Sequence, residues 1–178
     1  MGGAQRSPAH RWSRVPLAAI AAIAAIGLFH VSLSWWTSFE AASAGWAASV
    51  LGSADASRAG HQLLVRGDAG MFVLTVSSWC SSSAPVLALI AAAAVSPGDR
   101  RRRIRAAVLA SGLLVVGNVA RITAVVLVGA DIDPAQLEPF HDGPATAFTV
   151  VLVLSATAVV AWSTLPAGGR YRRQPAQL

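Results

Sequence analysis

The chain has 178 residues, of which 54% are apolar and 12% are charged, and its net charge of +6 comes from arginine without lysine. The apolar residues are grouped in long blocks, which is typical of a membrane protein and argues against a soluble globular domain. The arginines occur as short runs at the ends of these blocks, so the positive charge does not indicate binding of nucleic acid.

The first apolar block covers about residues 15–36 and follows three arginines. It is long enough to cross a membrane. A cleavable signal peptide is the alternative, because Ala42-Ser43-Ala44 resembles a cleavage site, but the block is longer than the apolar region of a signal peptide. We therefore favour a retained membrane anchor.

The segment from about residue 37 to residue 70 is polar enough to lie outside the bilayer. It includes three residues spaced to form the apolar face of a short helix on the outer membrane surface: Phe39, Trp46 and Val50. Further along, residues 61–66 and 71–76 flank the sequence Arg66-Gly67-Asp68-Ala69-Gly70. This pattern predicts a β-hairpin between the first and second spans.

Three more apolar blocks cover about residues 79–96, 104–129 and 143–165. The second block is short, so its helix either tilts in a thinned membrane or begins upstream and places Cys80 inside the outer boundary. The third and fourth blocks have ordinary spanning length and are joined by an acidic loop at 130–139.

Eleven of the fourteen arginines precede the first block, lie in or next to the loop between the second and third blocks, or follow the fourth block. An excess of arginine marks the cytoplasmic side of a membrane protein. The sequence thus predicts an all-α membrane protein of the cell membrane with four transmembrane helices and both termini in the cytoplasm. A cytoplasmic tail at 1–14 precedes a single membrane domain at 15–165, and a basic cytoplasmic tail at 166–178 follows it.

Arg121 lies within the third block, about 12 Å below the predicted outer boundary. An arginine inside hydrocarbon costs about 2.5–3.5 kcal/mol, so a partner should offset that cost. It could reach lipid phosphates or pair with Asp131 in a structural role. However, Asn118 lies three residues earlier on the same helical face, which indicates that both polar groups face other helices.

Cys80 is the single cysteine and lies where a strand-like segment gives way to a helix. A helix N-terminus and a nearby arginine both lower the pKa of a thiol. The alternative is that Cys80 packs as a small apolar residue, which is the more common role of a lone cysteine in a membrane protein. His141 precedes the fourth helix, with Asp142 as the expected N-cap and Pro144 in the first turn. A structural pairing of His141 with that acid is the alternative.

The topology places Cys80, Arg121 and His141 in one layer at the extracytoplasmic side. A thiolate, a cation and a histidine are the groups needed to cleave an amide through a thioester: nucleophile, stabiliser of the oxyanion, and general acid and base. No grouping of cysteine and histidine has the spacing of a metal site, so neither a metal nor another cofactor is expected.

The chain resembles the exosortase/archaeosortase family of multi-pass membrane cysteine transpeptidases over about residues 73–148. The resemblance rests on the segments at 79–82, 117–122 and 140–143, each next to a predicted span. It implies catalysis by Cys80, Arg121 and His141, with Asn118 and Asp142 as supporting residues.

The implied substrates are secreted proteins with a C-terminal sorting tail made of a short motif, an apolar helix and a basic end. Membrane lipid is the other expected partner. Ser82 stands where many members have glycine, and the chain has fewer predicted spans than the larger members.

Three other functions are considered. In a small transporter or channel subunit, Arg121 and Asn118 would line an anion path. In an assembly or scaffold subunit, Arg121 would bind an acid of a partner helix. Both alternatives give Cys80 and His141 no role. A protease would use the same three residues but pass the acyl group to water.

Overall fold

The computed structural model describes residues 15–52, 55–68, 70–96, 99–132 and 134–164, with the backbone alone for 15–31, 134, 135 and 164. The predicted tails at 1–14 and 166–178 lie outside these residues. The described chain is mostly helical, and its elements in chain order are α1 Val15–Leu51, β1 Asp55–Ala59, β2 Gln62–Gly67, β3 Gly70–Thr75, α2 Ser83–Val95, α3 Arg100–Asp131, α4 Pro134–Phe140, a π-helical turn His141–Ala145 and α5 Thr146–Thr164.

Helix α1 is continuous through Leu51, so the prediction of a separate surface-lying helix was wrong. At about 1.5 Å per residue, α1 is about 55 Å long, which exceeds the thickness of a bilayer. The polar residues after Trp36 do not end the helix, because the hydroxyls of Thr37 and Ser38 donate to carbonyls one turn earlier.

The predicted apolar residues of that segment, Phe39, Trp46 and Val50, are exposed, as a face turned to the membrane surface would be. The buried face of α1 carries small residues and one acid: Glu40, Ala41, Ala44 and Ala48. Small side chains allow close approach of neighbouring elements. Here that face packs against the sheet and α3.

The predicted hairpin is present as β2 and β3, and β1 adds a third strand that the sequence analysis missed. The sheet is antiparallel in the order β1-β2-β3. One face of β2 is fully buried through Leu63 and Val65, which contact the small residues of α1 and the C-terminal half of α3. The sheet is thereby fixed over the C-terminal ends of these two helices.

Helix α2 begins at Ser83, not at residue 79, and its 13 residues extend about 20 Å. Cys80 therefore lies in the turn before the helix. Asp99 caps α3 by accepting a hydrogen bond from the backbone N–H of Arg102, so this helix starts earlier than predicted. Arg103 Nη1 donates to the carbonyls of Ala93, Ala94 and Ser96, and this contact ties the end of α2 to the start of α3.

The region predicted as an acidic loop contains helix α4, and helical backbone continues from α4 through the π-helical turn into α5. Asp142 is therefore not an N-cap, contrary to the prediction. Pro144 lies inside the π-helical turn. Because proline has no backbone N–H, a regular α-helical bond cannot form there, and a local widening of the helix accommodates it.

Within the residues that the structure describes, two helical stretches are long and apolar enough to cross a membrane: Arg100–Asp131 and Gln136–Ser163. Both expose large apolar side chains, including Val116 at 70% on α3 and Leu154 at 63% on α5. Exposed apolar surface of this kind favours contact with lipid over contact with water. The structure therefore supports association with a membrane.

Helix α3 is central and packs against α1, α2 and α5. Two apolar clusters lie along it: a sheet-side cluster around Ile122 and Val126, and an α2–α5 cluster around Ala110 and Leu114. Asn118 and Arg121 lie between the clusters, and both are buried. The interior is thus divided into two apolar regions by a polar layer.

Candidate active site

Cys80 lies at the edge of this polar layer, in a turn between β3 and α2. Its backbone N–H donates to Ser77 O at 3.1 Å, and its side chain is half-buried. The following serines are buried, and the hydroxyl of Ser81 contacts both the backbone N–H and the hydroxyl of Ser83. The thiol is therefore carried on a tightly bonded turn.

His141 faces Cys80 from the π-helical turn. Cys80 Sγ lies 3.6 Å from His141 Nε2, and His141 Nδ1 lies 3.1 Å from Asp142 Oδ1. In the tautomer that carries its proton on Nδ1, the ring donates to this carboxylate and leaves Nε2 free to take the thiol proton. Asp142 thus orients the histidine that can act as a base toward Cys80.

Arg121 joins the two from α3. Its Nε donates to Ala145 O at 3.0 Å and its Nη1 to Cys80 O at 3.5 Å, while Nη2 lies 3.4 Å from His141 Nε2. Asp131 is exposed, and the ion pair found within the described residues is that of His141 with Asp142. The structural alternative of an Arg121–Asp131 pair is therefore not observed.

Glu40 connects Asn118 to the backbone around Cys80. Asn118 Nδ2 donates to Glu40 Oε1 and to Cys80 O, each at 2.9 Å. Glu40 Oε1 also accepts from the backbone N–H and the hydroxyl of Ser82, and Trp36 Nε1 donates to that hydroxyl. The side chain of Glu40 is fully buried, and its Oε2 has no hydrogen-bond partner among the described residues. One carboxylate oxygen thus holds both Asn118 and the turn that carries the thiol.

A cavity of about 20 Å³ adjoins the three candidate catalytic residues. It is lined by Leu74, Thr75, Val76, Cys80, Arg121, Ile122, Val125 and His141. A much larger cavity, of about 630 Å³, lies between α2 and the basic end of α3, away from the thiol. The small cavity has room for a carbonyl group or one water molecule beside Cys80.

The surroundings of Cys80 favour the thiolate. Burial raises the pKa of the thiol, but hydrogen bonds with Ser77 and His141 and the positive charge of Arg121 outweigh burial, so the pKa lies below its ordinary value. A thiol is nucleophilic as the thiolate. We therefore expect Cys80 to be deprotonated at a lower pH than a free cysteine.

The structure brings together all five residues singled out from the sequence, and adds Glu40 and Ser82 to them. The signal that points to Glu40 is its place in an alanine-rich segment, where it shares a face with Thr37, Ala44 and Ala48. A lone acid on the small-residue face of a helix indicates a buried polar contact.

The arrangement supplies a nucleophile, a base oriented by a carboxylate, and a fixed cation. Among the described residues, no three histidine, cysteine, aspartate or glutamate side chains are grouped to hold a metal ion. Comparison of the chain with protein-family models, with curated proteins and with solved structures gives no match.

Proposed function

We propose that this protein is a membrane cysteine transpeptidase or protease of the exosortase type. It cleaves a C-terminal sorting tail from secreted proteins at the outer face of the membrane, through a thioester on Cys80. The observation that carries this proposal is the contact of Cys80 Sγ with His141 Nε2 at 3.6 Å, next to Arg121 Nη2 at 3.4 Å from the same nitrogen.

The reaction follows from these contacts. The Cys80 thiolate attacks the carbonyl carbon of the scissile amide, a C–S bond forms, and the negative charge develops on the carbonyl oxygen. Arg121 stabilises that oxyanion. When the C–N bond breaks, protonated His141 gives its proton to the leaving amine, and the thioester remains.

The second half-reaction uses the same groups in reverse. Neutral His141 takes a proton from the incoming amine or water, which attacks the thioester carbon and releases Cys80. An amine from an envelope component makes the protein a transpeptidase, and water makes it a protease. The acceptor decides the product, while Cys80, Arg121 and His141 keep their roles.

The proposal includes four spans with the site on the extracytoplasmic side. The positions of the arginines support this orientation, since Arg100 to Arg105 lie at the end of α3 opposite the thiol. Along α3, Arg100 lies eighteen residues before Asn118, which corresponds to about 27 Å and approximates the thickness of the hydrocarbon core. A substrate whose tail lies in the bilayer would present its scissile bond at the depth of Cys80.

The anion-path alternative is not favoured, because it leaves the contact of Cys80 with His141 without a role. Each side-chain nitrogen of Arg121 contacts a protein atom, which fixes the guanidinium in place, while each Nη keeps a second N–H that can donate to the oxyanion. Ser82 departs from the family pattern, but its hydroxyl is held by Glu40 and Trp36, and its backbone N–H is held by Glu40. The serine at this position thus helps to fix the turn.

The test compares cells that carry the wild type with cells that carry Cys80→Ala. Mass spectrometry of secreted and envelope proteins should find that a set of them loses an apolar, basic-ended C-terminal tail in the wild type alone. The new C-termini are joined to an amine in a transpeptidase and free in a protease. Tail removal that persists in Cys80→Ala would refute the proposal and favour a non-enzymatic function.

A further inference from the structure

Strand β3 has a free edge that leads to the candidate nucleophile. The sheet order β1-β2-β3 leaves β3 bonded to β2 on one side only. In the register of this pair, Leu63 faces Leu74, Val65 faces Phe72 and Gln62 faces Thr75. The ladder continues one residue further, where the backbone N–H of Val76 donates to His61 O at 2.9 Å.

The backbone groups at the free edge can be identified from this register. Hydrogen-bonded and non-hydrogen-bonded pairs alternate along an antiparallel ladder. Since Val76 bonds toward β2, Phe72 and Leu74 do so as well, and Met71, Val73 and Thr75 direct their N–H and C=O groups away from β2. Within the part of the chain that the structure describes, no hydrogen bond engages these outward groups of Met71, Val73 and Thr75.

The side chains of β3 are open on this side as well. On the core face, Leu63 and Val65 of β2 are fully buried, whereas their β3 neighbours Leu74 and Phe72 are only partly buried. On the opposite face Val73 is 57% exposed. An additional strand beside β3 would cover apolar surface on both faces.

The free edge is continuous with the candidate active site. Leu74, Thr75 and Val76 line the same cavity as Cys80, Arg121 and His141, and Cys80 follows Thr75 by five residues. A peptide that pairs with β3 and runs past Thr75 therefore enters the cavity beside the thiol. Proteins with exposed strand edges often bind extended peptides in this way.

We propose that β3 binds the segment that precedes the scissile bond as a fourth strand, parallel to β3, through the backbone groups of Met71, Val73 and Thr75. This inference rests on the proposed function and adds how the substrate is held. The parallel direction follows because the tail after the scissile bond enters the membrane with α2, so the preceding residues lie toward β3. Backbone pairing requires an extended segment without proline at the paired positions, and it is tolerant of side-chain identity.

The probe is a series of acetyl-capped alanine peptide chloromethyl ketones with one to four alanines, which alkylate a nucleophilic cysteine. The full-length protein is used in detergent or nanodiscs, and the second-order rate of Cys80 alkylation is measured. Extension from one to four alanines should raise this rate about tenfold in the wild type, as expected for two or three backbone hydrogen bonds. Iodoacetamide, which has no peptide, gives the intrinsic reactivity of the thiol.

Val73→Pro removes an outward N–H without removing a bond of the β2–β3 ladder, and should reduce the gain from peptide length to less than about threefold. Val73→Ala controls for the lost side chain. Ala56→Pro is the matched control, because Ala56 lies on the opposite edge strand, β1, where its partner on β2 is Val65. Both controls should keep the gain. Iodoacetamide rates should stay the same in all three variants.

A ligand-side test does not depend on the folding of any variant. Two forms of the tetra-alanine probe are compared, with N-methyl groups on the odd-numbered or on the even-numbered amides. One form should lose the increase in alkylation rate that peptide length gives, and the other should keep it. Equal rates for all lengths in the wild type, or a full gain with both sets of N-methyl probes, would overturn the inference. The inference would also be overturned if the wild type is a dimer, Val73→Pro is a monomer, and the gain from peptide length persists in this variant. The free edge of β3 would then bind a second copy of the chain. None of these outcomes bears on whether Cys80→Ala stops tail removal.

Discussion

Cys80 Sγ and His141 Nε2 lie 3.6 Å apart although 61 residues separate them in the chain. Neither residue lies within a regular α-helix: Cys80 precedes α2, and His141 opens the π-helical turn before α5. Helix termini and π-helical turns leave backbone groups and side chains in positions that a regular helix would not provide. The contact therefore depends on the position at which α2 begins and on the π-helical turn that precedes α5.

Labelling of Cys80 should depend on Arg121. Because the pKa of the thiol lies below its ordinary value, a membrane-impermeant maleimide should react at a lower pH than it does with a free cysteine. Arg121→Ala removes a positive charge that stabilises the thiolate, so the pKa rises and the profile of rate against pH moves to higher pH. Arg66→Ala, an exposed arginine at the far end of β2, should leave the profile unchanged. A profile indifferent to Arg121 would remove the electrostatic support for catalysis.

His141→Gln should lower the rate of tail removal about 100-fold or more, because general acid and base catalysis contributes that much in cysteine and serine hydrolases. The measurement is the rate at which the tail is cleaved from a reporter protein. The reporter is chosen because its tail removal requires Cys80. His61→Gln provides the matched control, since His61 is exposed beside the sheet. A similar loss in both variants would indicate a general effect on folding instead of catalysis.

Glu40→Leu should destabilise the protein by at least about 2 kcal/mol, because Ser82 and Asn118 lose a shared acceptor inside the protein. It should also move the pH profile of Cys80 labelling upward, because the turn that carries the thiol loosens. Glu40→Gln keeps an oxygen at Oε1 and should retain most of the stability and the wild-type profile. Thermal unfolding and labelling are measured on the same samples.

A second variant separates positioning from stability. Leu114→Ala truncates a buried residue of the α2–α5 cluster and should cost about 2–5 kcal/mol. Because the Leu114 side chain makes no hydrogen bond or charge interaction with the residues around Cys80, the labelling profile should stay in place. If Leu114→Ala and Glu40→Leu shift the profile equally, Glu40 has a structural role only.

Membrane topology can be tested with introduced cysteines, because Cys80→Ala leaves no cysteine in the chain. In that background Ser57→Cys on β1 should react with an impermeant reagent in intact cells. Arg101→Cys, at the start of α3, should react only after the membrane is permeabilised. Both positions are exposed. Reaction of both cysteines in intact cells would contradict the proposed orientation.

Much of the fold follows from patterns that the sequence shows directly. Apolar blocks of spanning length predict the long helices, and a glycine-rich turn between alternating residues predicts the β2–β3 hairpin. Element boundaries were less well predicted. Helix α1 continues past its polar residues because hydroxyls bond to the helix backbone, and α5 is preceded by helical residues because the π-helical turn accommodates Pro144.

Three residues of the candidate site could be identified from the sequence, and Glu40 could not. Cys80, Arg121 and His141 are unusual residues at unusual depths, so each could be found singly in the sequence. Glu40 was not found, because its importance comes from contacts with residues 42 and 78 positions away. Sequence patterns within one helix do not reveal which donor a buried carboxylate will meet on another.

The polar layer between the two apolar clusters also constrains how the helices can align. A shift of α3 by one turn relative to α1 would carry Asn118 and Arg121 into an apolar cluster and separate Asn118 from Glu40. Each displaced group would then be buried without a partner, which is costly in a protein interior and more so in a bilayer. Apolar packing of alanine, valine and leucine alone would tolerate several such alignments. Arg121, which is proposed to act in catalysis, and Asn118, which supports it, therefore also select one alignment of the helices during folding.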